Sequence, residues 1–247
     1  RVTVPAEVTE GSGLRAGAGQ VTLPWPMPTN LTVGLTSGVP AKITVPASVI
    51  VAAGQTGAVF DVTVLNNALL DGAQAVVVTA SAADCRAGAG TVVVADDETA
   101  ALALTLPAAR SEGAAAVNGT VRVSAAPAVP VTVTLQSDNP GRLVVPESVS
   151  VAAGATSAVF SIQTPENSLI DGAAAISVVA TVAGWAGTTG QVAVTDNEPL
   201  DLRVAVPAVV YEGDGVLAGA GRVSLGGVAV TNIHVTLGSS LPAELQL

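Results

Sequence analysis

The chain repeats itself at a distance of one hundred residues. "VPASVIVAAGQTGAVFDVTVLNNALLDGAQAVVVTA", from Val45, lies over "VPESVSVAAGATSAVFSIQTPENSLIDGAAAISVVA", from Val145, without a gap. About half of the positions from there to Glu98 and Glu198 are identical. The openings recur too: "VPAEVTEG" ends at Gly11, "LPAARSEG" at Gly113 and "VPAVVYEG" at Gly213. Such a period exceeds a solenoid turn or a propeller blade and matches an independent domain, so each copy must bury its own core. The chain thus divides into a first unit over 1–98, a second over 99–198 and a truncated third repeat over 199–247. The third stops at "LPAELQL", which aligns with "NPGRLVV" before Pro146, about halfway through a unit. Further chain, or a neighbour's added strands, is expected to complete it. Arg1 in place of Met fits a processed chain or a piece of a longer one.

What each unit folds into follows from pattern. The 49% hydrophobic content is mostly Ala and Val, aromatic residues are 2%, and 26 Gly and 15 Pro punctuate the sequence. Few windows long enough for a helix escape Gly or Pro, and apolar residues alternate with period two. In "AVFDVTV" Phe60, Val62 and Val64 point one way while Asp61 and Thr63 point the other. "AVFSIQT" keeps Phe160 and Ile162 inward with Ser161 and Gln163 outward. Seven strands are expected in unit one, near 2–9, 18–24, 31–36, 42–51 with a break at Pro46, 57–65, 73–82 and 89–96. The fold class expected is all-β: tandem seven-stranded antiparallel immunoglobulin-like β-sandwiches.

Composition excludes several functions. A net charge of -10, with Lys42 the only Lys and the Arg residues scattered, cannot supply the run of phosphate contacts that nucleic acid needs. No apolar run approaches the length of a membrane span, so none is expected in this segment. Cys85, alone, allows neither an internal disulfide nor a thiolate cluster, and is expected as a small half-buried residue on a hairpin. Sequons at Asn30 and Asn118 are candidate glycan sites. No catalytic grouping is visible: with one His, His234, expected as a strand residue, there is no nucleophile-base pair, and the Gly-rich "AGAGQV" and "AGAGTV" precede strands. The chain is therefore expected not to be an enzyme. Trp25 and Trp185 stand at non-equivalent places and are expected to pack, which leaves too few aromatics for a sugar platform.

The acids are the remaining signal. Glu10, Asp71, Asp96, Asp97 and Glu98 in unit one recur as Glu112, Asp171, Asp196 and Glu198 in unit two, with Glu212 in unit three. They fall at the end of the first strand, in the loop before the sixth and at the tail of the last, which a seven-stranded sandwich places at one end. Converging carboxylates repel, so they raise one another's pKa or recruit a cation. Calcium suits an all-oxygen set of carboxylates and loop carbonyls, whereas zinc would want His or Cys. Turn chemistry in "LLDGA" and "LIDGA" and a solvated linker at "DDE" and "DNE" are the alternative account.

The combination of Ser/Thr-Glu-Gly after the opening strand, "VPxSVxVAAGxTxAVF", Asn-x-x-x-Asp-Gly and a closing Asp-Asp-Glu or Asp-Asn-Glu resembles Calx-beta domains. These are the immunoglobulin-like sandwiches of sodium-calcium exchangers, integrin β4 and large bacterial and algal surface proteins. The resemblance implies calcium at the sandwich end beside the next domain. It would be held by Glu10, Asp71, Asp96 and Asp97 in unit one and by Glu112, Asp171 and Asp196 in unit two, with Asp138 a further candidate. Where the family's strong binders carry an acidic pair, this chain has Asn66 and Asn67, then Glu166 and Asn167; Gln74 and Ala174 replace a further acid. Weak sites are therefore expected, one per domain, filled at extracellular calcium levels.

The function expected is a structural or adhesive repeat segment of a long extracellular or cell-surface protein, stacked as a stalk or filament. The mean hydropathy of +0.60 with so few charges points to self-association or contact with neighbouring repeats. A calcium-regulated binding module is the alternative, and a carbohydrate-binding or hydrolase unit is a third reading.

Overall fold

The computed structural model describes residues 1–246. Among them there is no helix, and none therefore that is long and apolar enough to cross a membrane. Unit one is built from β1 (Val2–Thr3), β2 (Glu7–Thr9), β3 (Gly13–Thr22), β4 (Leu31–Ser37), β5 (Ile43–Thr44), β6 (Ser48–Val51), β7 (Gly57–Val64), β8 (Leu69–Leu70), β9 (Gln74–Ser81) and β10 (Gly88–Ala95). One sheet has the order β1-β3-β7-β5 and the other β2-β10-β9-β4-β6.

Two of the expected strands each split between the sheets. The first bends so that β1 pairs antiparallel with β3 while β2 runs parallel to β10. The fourth breaks at Pro46, giving β5 to one sheet and β6 to the other. A Pro lacks the N–H that a continuous ladder would require, so the chain changes partner where it cannot donate. The remaining segment, β8, pairs with neither sheet of its own unit.

Unit two repeats the plan through β11 (Leu102–Thr105), β12 (Ala109–Ser111), β13 (Val117–Val123), β14 (Ala126–Pro127), β15 (Val131–Ser137), β16 (Ser148–Val151), β17 (Ser157–Ile162), β18 (Leu169–Ile170), β19 (Ala174–Thr181) and β20 (Thr188–Thr195). Its sheets are β11-β13-β17 and β12-β20-β19-β15-β16. The core of each sandwich comes from the inward positions alone: Phe60, Val62 and Val64 are buried in unit one, and Phe160 and Ile162 in unit two. The Phe rings require glycine opposite them. A Cβ on Gly19 would stand 2.2 Å from the Phe60 ring, and one on Gly119 would stand 2.5 Å from that of Phe160.

In the third repeat, β21 (Leu202–Ala205) pairs with β22 (Arg222–Leu225), and β23 (Val228–Ala229) follows. Leu202, Val204, Val206 and Val223 remain exposed. Three expectations about single residues need correction. Trp185 does pack against the second core, but Trp25 is 67% exposed. Cys85 is exposed, at a hairpin tip where Asp84 takes a positive φ. His234 lies outside any strand.

Candidate functional site: carboxylates at the unit junctions

β2 ends at Thr9, just before Glu10, β10 runs out into Asp96-Asp97-Glu98, and the loop between β7 and β9 lies beside both. The parallel pairing of β2 with β10 brings the two strand ends to the same level, and Glu10 N–H donates to the Ala95 carbonyl at 2.9 Å. Carboxylate oxygens of Glu10, Asp96, Asp97 and Glu98 then all lie within 4.8 Å of one another. In unit two the corresponding group is Glu112, Asp196 and Glu198. Asp71 and Asp171 stand beside these groups but outside them. Asp138 is turned elsewhere, accepting from the Ser177 N–H at 3.0 Å.

The acids organise the loop between them. Asp96 Oδ2 accepts from the Asp71 and Gly72 N–H groups at 2.9 and 2.7 Å, and its Oδ1 accepts from the Glu98 N–H at 3.1 Å. Gly72, at φ 67°, supplies the left-handed turn that presents both amides. Asp196 binds Asp171, Gly172 and Glu198 in the same way, with Gly172 at φ 72°. At the loop's other end, Glu10 Oε1 accepts from the Asn67 N–H at 2.7 Å and from its side-chain amide. Between these two anchors sits β8.

That strand pairs with β14 of the next unit in a two-stranded sheet of their own. Leu69 and Leu70 pair in parallel with Ala126 and Pro127, and Ala128 N–H donates to the Leu70 carbonyl at 3.0 Å. The second junction repeats the arrangement: Leu169 and Ile170 pair with Val228 and Ala229, and Val228 N–H donates to Ser168 at 2.7 Å. The carboxylate cluster is thus the socket of the loop through which one unit grips its successor.

Each cluster also holds a cation from its own chain, which spacing along the sequence does not announce. Lys42, 6% exposed, places Nζ 2.6 Å from Glu10 Oε2 and 2.6 Å from Asp71 Oδ2. Arg142, one hundred residues on, lies 3.0 Å from Asp171 Oδ1 and donates to the Gly172 carbonyl at 2.7 Å. Two of the nine cations, Lys42 and Arg142, are thus placed at one repeat position. The signal was available: the chain's only Lys aligns with an Arg in "AKITVP" and "GRLVVP".

Protonation follows from these contacts. Burial pushes the Lys42 amine down, but the hydrogen bonds and charges of Asp71 and Glu10 push it up further, to a net rise. Glu98 is raised to about 7, first by the hydrogen bond it shares with Asp96 and then by burial and its acidic neighbours. Glu198 is likewise raised to about 7 by its bond to Asp196 and by burial. Burial pushes Asp96 up, yet the Glu98 carboxyl and the N–H groups of Gly72, Glu98 and Asp71 hold it below the usual range. The Glu198 carboxyl and the backbone N–H groups depress Asp196 strongly. Glu112, 3% exposed, is raised by burial and by Asp171, and its Oε2 is buried without a hydrogen-bond partner.

No family model matches the chain. No curated protein matches it either. Among solved structures it is similar to the calcium binding domain CBD12 of CALX1.1, at 12% identity and a TM-score of 0.31, over 73% of this chain and 80% of that one. It is also similar to the CupB2 chaperone of Pseudomonas aeruginosa, at 12% identity and a TM-score of 0.31, over 76% of this chain and 96% of that one. Domains 4 and 5 of the S-layer protein SbsC match at 11% identity and a TM-score of 0.31, over 66% and 70%. The chain's own paired sheets make it a β-sandwich module.

Proposed function

We propose that the chain is a non-enzymatic spacer of a long extracellular or cell-surface protein, in which sandwiches stack end to end. The supporting observation is that the same two-residue parallel pairing recurs at both junctions, β8 with β14 and β18 with β23. A linker that merely tethered domains would not need a socketed docking loop, and backbone pairing restricts the angle between neighbours far more than a flexible connection does. Small-angle scattering tests this. The chain should give one narrow distribution of distances, and Asp96→Ala, which frees the Asp71 and Gly72 amides, should broaden it. A distribution already broad in the unaltered chain would dismiss the spacer.

Calcium belongs to this reading in the second unit. Glu112 Oε2 is buried and unpartnered beside Asp196 and Glu198, an oxygen set of the kind the ion takes. In the first unit Lys42 and Asn67 already occupy both Glu10 oxygens, and Asp71 is bound to the same ammonium. Calcium would bring Glu112 a direct positive partner, since Arg142 is bound to Asp171 and the Gly172 carbonyl. Titration calorimetry on the full chain should show weak binding at millimolar calcium that Glu112→Gln abolishes and Glu10→Gln leaves in place. Absence of heat in the unaltered chain would remove calcium from the account. Where scattering also changes on adding calcium, the module is regulated rather than only braced.

A further inference from the structure

The first cluster contains a buried amine pressed against a carboxyl group. Lys42 Nζ lies 2.6 Å from Asp71 Oδ2, with side-chain exposures of 7% and 11%. Asp71 Oδ1 is buried and has no hydrogen-bond partner, so the carboxylate is stabilised as an anion on one oxygen only. Two reactants held in contact by fixed loops have the effective concentration of an intramolecular reaction. What such a condensation needs besides contact is a group that takes and returns protons. Glu10 is so placed: its side chain is 1% exposed, its Oε2 touches the same Nζ at 2.6 Å, and its Oε1 is fixed by the Asn67 N–H. We propose that Lys42 and Asp71 condense to a side-chain amide, an isopeptide cross-link within unit one, with Glu10 as the proton relay.

The step balances without an added reagent. The ammonium passes one proton to Glu10, and the freed nitrogen lone pair attacks Asp71 Cγ. The C–Oδ2 bond then breaks. The departing oxygen leaves as water, carrying the proton returned by Glu10 and a second from the nitrogen. One N–H remains in the amide, and Glu10 ends as it began. Against its own burial the Lys42 amine rests charged, held so by Asp71 and Glu10, and the contact with Glu10 Oε2 is the route by which its proton leaves. Unit two supplies an internal contrast. Arg142 occupies the same repeat position beside Asp171, and its delocalised, permanently charged guanidinium is no nucleophile for this reaction. The cross-link would tie the loop that carries β8 to the body of unit one, and it stands independently of the calcium reading.

Intact mass measurement of the folded 247-residue chain decides it. The expected mass is one water, about 18 Da, below that of the sequence. Trypsin should fail to cut after Lys42, releasing residues 16–86 as one fragment that is one water light. Lys42→Arg, which copies the second unit, should restore the full mass while keeping the fold by circular dichroism, and Glu10→Gln should slow or stop the loss. Full mass and normal cleavage at Lys42 in the unaltered chain overturn the proposal. Loss of water that persists in Lys42→Arg also overturns it, and points to cyclisation at an Asp-Gly step, 71–72, 171–172 or 214–215.

Discussion

The two complete units share a core and a strand order, yet they treat the same electrostatic problem differently. In unit one the Lys42 ammonium, a compact charge with three donors, touches Glu10 and Asp71 together. In unit two the Arg142 fork is spent on Asp171 and the Gly172 carbonyl, and Glu112 is left to amides. Asn167 donates to its Oε1, and Asn197 to its carbonyl at 3.3 Å. The framework fixes where the acids meet. One side chain at one repeat position fixes whether they are neutralised from within, and so whether room is left for an outside ion.

The largest effect should come from removing that side chain. Lys42→Met leaves the buried Glu10 and the half-buried Asp71 without their counter-ion and should cost about 3–5 kcal/mol. Arg142→Met loses one ion pair to a more exposed acid and one carbonyl bond, and should cost about 1–3 kcal/mol. Urea unfolding of each variant measures both, and equal losses would erase the distinction between the units. The cores, by contrast, should respond alike. Gly19→Ala and Gly119→Ala each force a methyl into a Phe ring, at 2.2 and 2.5 Å, and each should cost about 1–3 kcal/mol. A marked inequality there would show that the difference between the units reaches beyond their ends.

Much of this was legible in the sequence because of its physical origin. Period-two alternation is imposed by the pleat, so the inward residues of "AVFDVTV" and "AVFSIQT" could be named from spacing alone. Convergence of Glu10 with Asp96 and Asp97 followed from counting strand reversals. The division of two strands between sheets was marked by a proline in each case, Pro5 in the first and Pro46 in the fourth. The role of Lys42 and Arg142 was marked only by their shared repeat position, because a buried ion pair depends on three-dimensional proximity and an isolated cation reads as a surface residue. Strand β8 was hidden as well: two residues are too few to show a period, and its partner lies in another unit. Trp25 misled because a large apolar side chain is usually covered, and here nothing in the described chain covers it.

A smaller effect separates the clusters by pH. The raised groups, Glu98 and Glu198 at about 7 against 4.5 unperturbed, bind their protons more tightly when folded. Their contribution is therefore complete below pH 4.5 and is lost as pH rises through about 7. Asp96 and Asp196 are depressed and act in the opposite sense, contributing above 3.8 and failing as pH falls further. Stability should peak on the acid side of neutrality. Glu98→Gln should flatten the decline toward neutral pH for the first unit, and Glu198→Gln for the second. Millimolar calcium should restore stability at neutral pH in the second unit alone. Urea midpoints that do not change between pH 4.5 and about 7 would contradict the shared protons.

The finest comparison is Asp97 against Asn197. Asp97 adds a fourth carboxylate to its group, whereas Asn197 Nδ2 donates to both Glu166 oxygens, at 3.2 and 3.1 Å, as well as to the Glu112 carbonyl. Asn197→Asp exchanges these donors for a charge beside Glu166, so the metal-free protein should lose about 0.5–1 kcal/mol, a modest sum because the site is exposed. The same charge adds an oxygen ligand, so calcium should bind more tightly. Asp97→Asn should relieve repulsion in unit one and stabilise it slightly, with no change in calcium affinity, because Lys42 already serves that cluster. Opposite signs for stability and affinity in Asn197→Asp are the expected result of calorimetry and urea unfolding. If both measurements move in the same direction, Asn197 does not separate self-neutralisation from ion binding, and the contrast between the units rests on Lys42 and Arg142 alone.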